Sequence, residues 1–286
     1  MRNRRLPRLA LCLAFLVLVQ GMLTDFLRRE SLLGKLPENA WETEEFRQLS
    51  VSKDNIRQME AFSQNTGISF ADCLAVQLVA GDFVLEKPAK LSEREFRQRE
   101  ALLEKYRKEE FGKLQESCEA LFSDLVYFPV AYLKGGGTGQ IFYENGYGAP
   151  RNYGGERTHE GIDLFGQKDE SGYYPVVSVT DGVVENVGWL PLGGYRIGIR
   201  SPHGAYFYYA HLEEYGARFE KGDRVTAGEL LGLMGDTGYG QEGTSGKFPV
   251  HLHFGVYLRT EHFREMSVNP YAILTFLENK TREYTY

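Results

Sequence analysis

A chain of 286 residues can hold one ample domain or two modest ones, so length alone does not choose. Composition is that of an ordinary globular protein, and the formal net charge of -6 excludes the broadly basic face of a general nucleic-acid binder. A phosphate-rich partner is therefore not expected.

The chain opens with Met1-Arg-Asn-Arg-Arg-Leu-Pro-Arg8, followed by an apolar run from Leu9 to Leu23 interrupted by Gln20 and Gly21. Such a run after a basic start is an export signal. It is short for a membrane span and long for a signal-peptide core, so residues 1–24 read first as an uncleaved signal anchor, with a cleaved signal as the alternative. Arginines concentrate before the run, whereas Arg28 and Arg29 after it are offset by Asp25 and Glu30. That bias keeps the N-terminus inside and sends the rest across. The expected location is therefore the cell membrane, single-pass with the remainder outside, or secretion if the signal is cut. Cys12 is a small hydrophobe in the run; Cys73 and Cys118 fall on apolar helix faces, where buried thiols are expected in preference to one disulfide.

Residues 24–50 are charged and patternless and read as a juxtamembrane linker or a loosely packed approach segment. Helical periodicity then begins. Asp54–Gln64 carries Ile56, Met59 and Phe62 and stops at Asn65-Thr-Gly67, while Ser69-x-x-Asp72 caps an apolar helix ending at Gly81. A third helix is expected from the capping box Ser92-Glu-Arg-Glu95, with a stripe through Phe96, Leu103, Phe111, Leu114, Cys118, Leu121 and Leu125. Residues 25–125 are thus a helical stalk or cap with a charged outer face, and a possible protein partner for it is noted. Lys134-Gly-Gly-Gly-Thr-Gly139 lacks the ending of a phosphate-binding loop and reads as a turn or hinge. Beyond it come short apolar runs punctuated by turn signals, from Val176–Thr180 to Val250–Tyr257. Residues 126–286 therefore form a mainly β domain.

Histidines supply the chemistry. His159 and Asp163 are four apart where a loop enters a strand, and His251 and His253 bracket Leu252 in an alternating strand. Positions i, i+2 and i+4 of an extended chain share one side, so each pair can face a single ion. His251-x-His253 alone would serve equally as a polar surface pair. With His159-x-x-x-Asp163 and His211 at the end of an aromatic strand, the set suits a hydrolytic zinc, which takes three His or carboxylate ligands and keeps a position for water. His203, in a turn, and His262 are expected to be exposed bystanders. Arg151, Tyr153 and Arg157 are either substrate-carboxylate contacts or surface charge, and Tyr206, Tyr208 and Tyr209 read mainly as core and sheet packing.

His159-x-x-x-Asp163, Tyr209-Ala-His211-Leu and His251-Leu-His253, in this order, resemble the lysostaphin-type zinc endopeptidases that cut peptidoglycan peptides. Phe219-Glu-Lys-Gly-Asp-Arg-Val225, Gly228-x-x-Leu231-Gly and Met234-Gly-x-Thr237-Gly are similar to that family's turn framework. The resemblance covers about residues 145–275 and leaves out the helical segment. It implies an open antiparallel sheet of the duplicated hybrid motif type, and one zinc per chain held by His159, Asp163 and His253. His211 and His251 are then the unligated pair that handles protons, with His251 as the base, and the substrate is a stem or bridge peptide of peptidoglycan. A long segment, Gly238–Phe248, replaces the family's short turn before His251 and is expected to shape the substrate groove. The alternatives are a catalytically silent scaffold or activator of another wall hydrolase, and a metallopeptidase acting on proteins.

Overall fold

The computed structural model describes residues 5–88, 92–133, 141–152 and 155–284. The hinge expected at Lys134–Gly139 and the candidate contact Tyr153 lie outside them. The N-terminal run becomes one helix, α1 (Arg5–Leu33), longer than the apolar run because Thr24–Leu33 continues it. Its stretch Ala10–Leu33 is long and apolar enough to cross a membrane, and Leu11, Phe15, Val17 and Met22 are exposed.

The expected linker is packed instead. A 3-10 turn (Ala40–Glu42) and α2 (Glu44–Gln48) bury Leu36, Ala40, Trp41 and Phe46, apolar residues too irregularly spaced to announce an element. After β1 (Ser50–Val51), α3 (Lys53–Thr66) starts at Ser52, whose side chain accepts from Asn55 N, and stops at Gly67 with φ 74°. A left-handed residue of this kind costs glycine little. Helix α4 (Phe70–Ala80), capped by Ser69 on Asp72 N, is buried from Cys73 to Val79 and centres the layer. Strand β2 (Val84–Leu85) pairs in parallel with β1.

The third expected helix is two, α5 (Glu93–Tyr106) and α6 (Lys108–Phe122), broken at Arg107 with φ -138° and ψ 42°. Arg107 donates to Leu33 O at 3.3 Å and to Glu110 at 3.1 Å, so a tertiary contact with the end of α1 accompanies the break. Phe96, Leu103, Phe111, Leu114, Cys118 and Leu121 are all buried nonetheless. Ser92 occupies the cap position without a side-chain bond, so the expected capping box does not form there. Cys73 and Cys118 are buried free thiols; desolvation pushes Cys73 up to about 12 and Cys118 higher, and such thiols are inert.

The C-terminal part contains β3 (Tyr132–Leu133), β4 (Ile141–Phe142), β5 (Pro150–Arg151), β6 (Arg157–Thr158), β7 (Ile162–Gly166) and β8 (Pro175–Val177). They are followed by β9 (Gly182–Leu190), β10 (Gly194–Arg200), β11 (Tyr206–Tyr215), β12 (Arg224–Val225), β13 (Leu230–Met234), β14 (His251–Leu258), β15 (Met266–Val268), α7 (Tyr271–Leu277) and β16 (Glu283–Tyr284). The main sheet is antiparallel in the order β12-β9-β10-β11-β14-β7-β4, with β13 joining β11 to β8 and β15 beside β14. One face is core, formed by Ile162, Leu164, Ile197, Phe207, Tyr209, Phe254 and Val256.

The helices share that core. Phe122 and Phe70 pack on Phe276 with ring centroids 5.5 and 4.7 Å away, and Arg47 donates to Ser267 O and Oγ at 3.1 Å. His203 and His262, far in role from the other four histidines, are exposed but clamp the two layers, on Asp124 and Glu42, each at 2.7 Å. Its hydrogen bond to Asp124 raises the His203 pKa, so the pair stabilises the fold fully below the ordinary histidine range and is lost as pH rises through the raised value. H203Q is expected to lower Tm by roughly 1–3 °C at pH 5, an exposed pair being weak, with the gap closing by about pH 9. Thermal melts of both proteins across that range check it.

Candidate metal centre

In the antiparallel pair β7–β14, His253 stands directly opposite Asp163 and Leu252 opposite Leu164. Alternation then puts Ile162, Leu164, Leu252 and Phe254 in the core and Asp163, His251 and His253 on the open face. His159 follows the β5–β6 hairpin, fixed by its N–H to Ala149 O at 2.9 Å and by Gly148 N–H to its own carbonyl at 2.8 Å. Gly161 is required where the chain turns from His159 into β7. A Cβ there would lie 2.6 Å from His253 Cε1 and 2.7 Å from the Phe254 carbonyl.

His211 reaches this face through an irregularity. Ile197 pairs with Tyr209 but Tyr195 with Leu212, so β11 advances three residues against two on β10. Tyr209 and Leu212 both remain in the core, and the extra residue leaves His211 beside His251, with centroids 4.7 Å apart. Its φ is 64°, a costly conformation for a non-glycine residue that a β-bulge over-determines. His211 is thus mid-strand, where an end of strand was expected.

Three donor atoms converge. His159 Nε2 lies 3.0 Å from Asp163 Oδ1 and 3.0 Å from His253 Nδ1, and the last two are 2.9 Å apart. His159 Nδ1 is 3.0 Å from the Gly146 carbonyl, which only accepts, so Nδ1 donates there and Nε2 is the nitrogen turned to the cluster. One proton cannot satisfy all three contacts, whereas a cation among them can. Donors about 2.0–2.2 Å from a tetrahedral zinc are roughly 3.3–3.6 Å apart, so an ion fits after shifts of a few tenths of an ångström. Burial would raise the Asp163 carboxyl, but its contacts with His159 and His253 outweigh that and hold it below the usual carboxylate range. Burial also lowers His253, keeping it neutral. Neutral imidazoles with one ionised carboxylate are the donor set a borderline divalent metal prefers.

The other two histidines share one tautomer. His211 Nδ1 donates to Thr237 O at 2.7 Å and His251 Nδ1 to Pro249 O at 2.8 Å, leaving each Nε2 as an acceptor. Desolvation lowers both pKa values, that of His211 most strongly. His251 Nε2 is 3.7 Å from Asp163 Oδ1, so a free imidazole nitrogen borders the ligand cluster. The segment Gly238–Phe248 builds a wall here: Phe248 packs 4.6 Å from His211, 5.1 Å from His251 and 4.7 Å from Tyr239.

Comparison with known proteins places the segment that carries these residues in a family. The profile of peptidase family M23 matches residues 157–270. The crystal structure of a proposed glycyl-glycine endopeptidase from Ruminococcus gnavus is 42% identical, covering 86% of this chain and 95% of that one, with a TM-score of 0.75. This chain belongs to peptidase family M23. Two curated relatives are the L-Ala–D-Glu endopeptidase of Bacillus subtilis, 43% identical over 46% of this chain, and a glycyl-glycine endopeptidase of Staphylococcus capitis, 33% identical over 39%. The matched segments span 39% and 28% of those relatives' own lengths. The M23 segment contains all five site residues. The Ruminococcus match, at 86% of the chain, extends beyond the expected 145–275 into the helical layer, so that layer is shared with another M23 structure.

Arg151, expected as a substrate-carboxylate contact or surface charge, is bound to Asp163 instead. Its Nη2 donates to Asp163 Oδ2 at 2.6 Å, leaving Oδ1 to face the histidines. Only the pairing of β5 with β6 aims it there, so its partner is not legible in the sequence. Outer partners of metal-ligating carboxylates fix ligand orientation. R151M is expected to weaken metal binding by about 10–100-fold with little change in Tm of the metal-free protein, measured by competition with a chromogenic chelator.

Proposed function

We propose that this M23 protein is an exported zinc endopeptidase that hydrolyses peptide bonds in peptidoglycan, held at the membrane by α1. His159, Asp163 and His253 bind one zinc, and His251 and His211 move protons. The observation that carries the reading is the convergence of three ligand atoms beside two histidines whose Nε2 atoms are unprotonated. Family membership and the endopeptidase relatives support the reaction class, and the apolar N-terminal helix supports the location.

A bound zinc would lower the pKa of a water toward neutrality and polarise a carbonyl. His251 Nε2, bordering the ligands, accepts the attacking water's proton and returns it to the leaving amine. The Pro249 carbonyl holds its Nδ1 proton in place, so the ring does not change tautomer between those steps. His211, kept neutral by burial, takes the second proton of the attacking water at Nε2, donates it as a hydrogen bond to the oxyanion, and gives it up to solvent as the carboxylate product leaves. That order supports His251 as the first acceptor. An extended peptide can lie along the open face of the sheet beside these groups.

The test is to incubate the full chain, with zinc content measured, with purified murein sacculi and to count new amino groups. Release of one amine per cut muropeptide, identified by mass spectrometry and stopped by a chelator, is expected. Zinc binding without release would favour the scaffold, and cleavage of casein with sacculi untouched would favour a general protease.

A further inference from the structure

Resting on that reading, we propose that Arg196 is a substrate-binding residue whose guanidinium takes a carboxylate of the peptide a few residues from the bond that is cut, so that an acidic stem peptide is preferred to an uncharged bridge.

Alternation puts Arg196 on the metal face. Ile197 and Ile199 of β10 are buried in the core, so Arg196 and Gly198 stand on the other side of the sheet. Register then fixes its row. His253 pairs with Asp163 on β7 and with Ala210 on β11. Arg196 is the one residue of β10 between the pairs Ile197–Tyr209 and Tyr195–Leu212, so it stands opposite Ala210 and His211. Its partner on β9 is Gly188. Asp163, His253, Ala210, Arg196 and Gly188 thus form one line across five strands, with the arginine between an alanine and a glycine. Strands about 4.8 Å apart place its backbone roughly 10 Å from that of His253. An extended peptide advances about 3.4 Å per residue, so one crossing the strands brings about its second or third residue from the metal over Arg196.

At that point the arginine has no counter-ion. Arg196 Nη1 is buried without a hydrogen-bond partner, and no ion pair engages the side chain among the described residues. Arg200, further along the same strand, shows the contrast: Glu185 holds it at 2.6 Å and Glu265 at 2.9 Å. Aromatic Tyr208 on β11 reaches over from the metal side. A Cβ on Gly193 would lie 2.4 Å from its hydroxyl, and its ring centroid is 6.1 Å from that of His253. Burial pushes the Tyr208 phenol up, so it stays neutral; the Arg196 charge opposes that shift without cancelling it. A dry guanidinium donor without an acceptor is unfavourable, and a carboxylate is the acceptor that matches a planar fork with two charge-assisted bonds. A primary amide offers one acceptor oxygen, no charge, and an NH2 that meets the fork donor to donor.

Four synthetic peptides decide this with the full zinc-loaded chain. Three are forms of the stem tetrapeptide L-Ala-γ-D-Glu-L-Lys-D-Ala: both carboxylates free, the D-Glu α-carboxylate amidated, or the C-terminal carboxylate amidated. The fourth, pentaglycine amide, stands for an uncharged bridge. Wild type should lose about 10–100-fold in kcat/KM, mostly through KM, on at least one of the two stem amides, and the loss identifies the carboxylate bound. Pentaglycine amide should be cleaved least. R196Q should bring that acid-to-amide ratio near one with zinc still stoichiometric and Tm close to that of wild type, and R196K should recover part of the preference. An arginine with only a structural role would lower cleavage of acid and amide alike. That result, equal cleavage of acid and both amides by wild type, a preference for pentaglycine amide, or sacculi cut with the stem peptide untouched would overturn the proposal. Failure to cut sacculi or any of the four peptides, with zinc bound, would instead overturn the peptidase reading beneath it.

Discussion

Replacing His253 or Asp163 by Ala is expected to remove metal and activity together, with zinc stoichiometry falling toward zero and murein hydrolysis dropping by roughly 10³-fold or more. These residues face each other across β7 and β14, so each truncation deletes one of three converging donors from a rigid pair of strands. Two remaining donors do not hold zinc against a modest chelator. The fold should survive, because both side chains stand on the open face while Leu164, Leu252 and Phe254 keep the core behind them. D163A also strands the Arg151 guanidinium, so D163N is the cleaner variant; it keeps the shape and removes the charge. Zinc analysis after dialysis, alongside thermal melts of the metal-free proteins, separates loss of metal from loss of fold. Retention of stoichiometric zinc by H253A would falsify the ligand assignment.

Part of this arrangement is legible in the sequence, and the reason is geometric. The grouping of His159 with Asp163, and of His251 with His253, follows from the two-residue period of a strand, a local property. The expected antiparallel β domain is present for the same reason: its strands alternate, and turns such as Asp181-Gly182 separate them. What local pattern does not contain is tertiary. His211 faces the site only because β11 carries one more residue than β10 spends, and the bulge depends on the pairing partner. Arg151 and Arg157 look equivalent in sequence, yet the hairpin turns one onto Asp163 and the other across to Tyr239. Residues 24–50 read as linker because Leu36, Trp41 and Phe46 recur every five residues, which fits neither the helix nor the strand period, although all three are buried. The break at Arg107 was hidden because the apolar stripe continues through it.

The division between holding metal and moving protons is tested by His251. H251A is expected to keep one zinc per chain while kcat falls by about 10²–10⁴-fold and KM changes little, the signature of a group that acts in the transition state. Three features support that outcome. The His251 ring nitrogen is 3.7 Å from Asp163 Oδ1, outside the 2.9–3.0 Å triangle formed by the ligand atoms. Its other nitrogen is tied to the Pro249 carbonyl, which sets the tautomer a base needs. Phe165 and Phe248 pack against its ring, each with a centroid 5.1 Å away, and hold it in place beside the ligands. H211A should behave alike in zinc content but lose less, about 10²–10³-fold, if it serves the oxyanion after the first proton transfer. Should H251A lose its zinc, His251 would be a ligand and the base would have to be His211, which is buried more deeply and held further from its charged state.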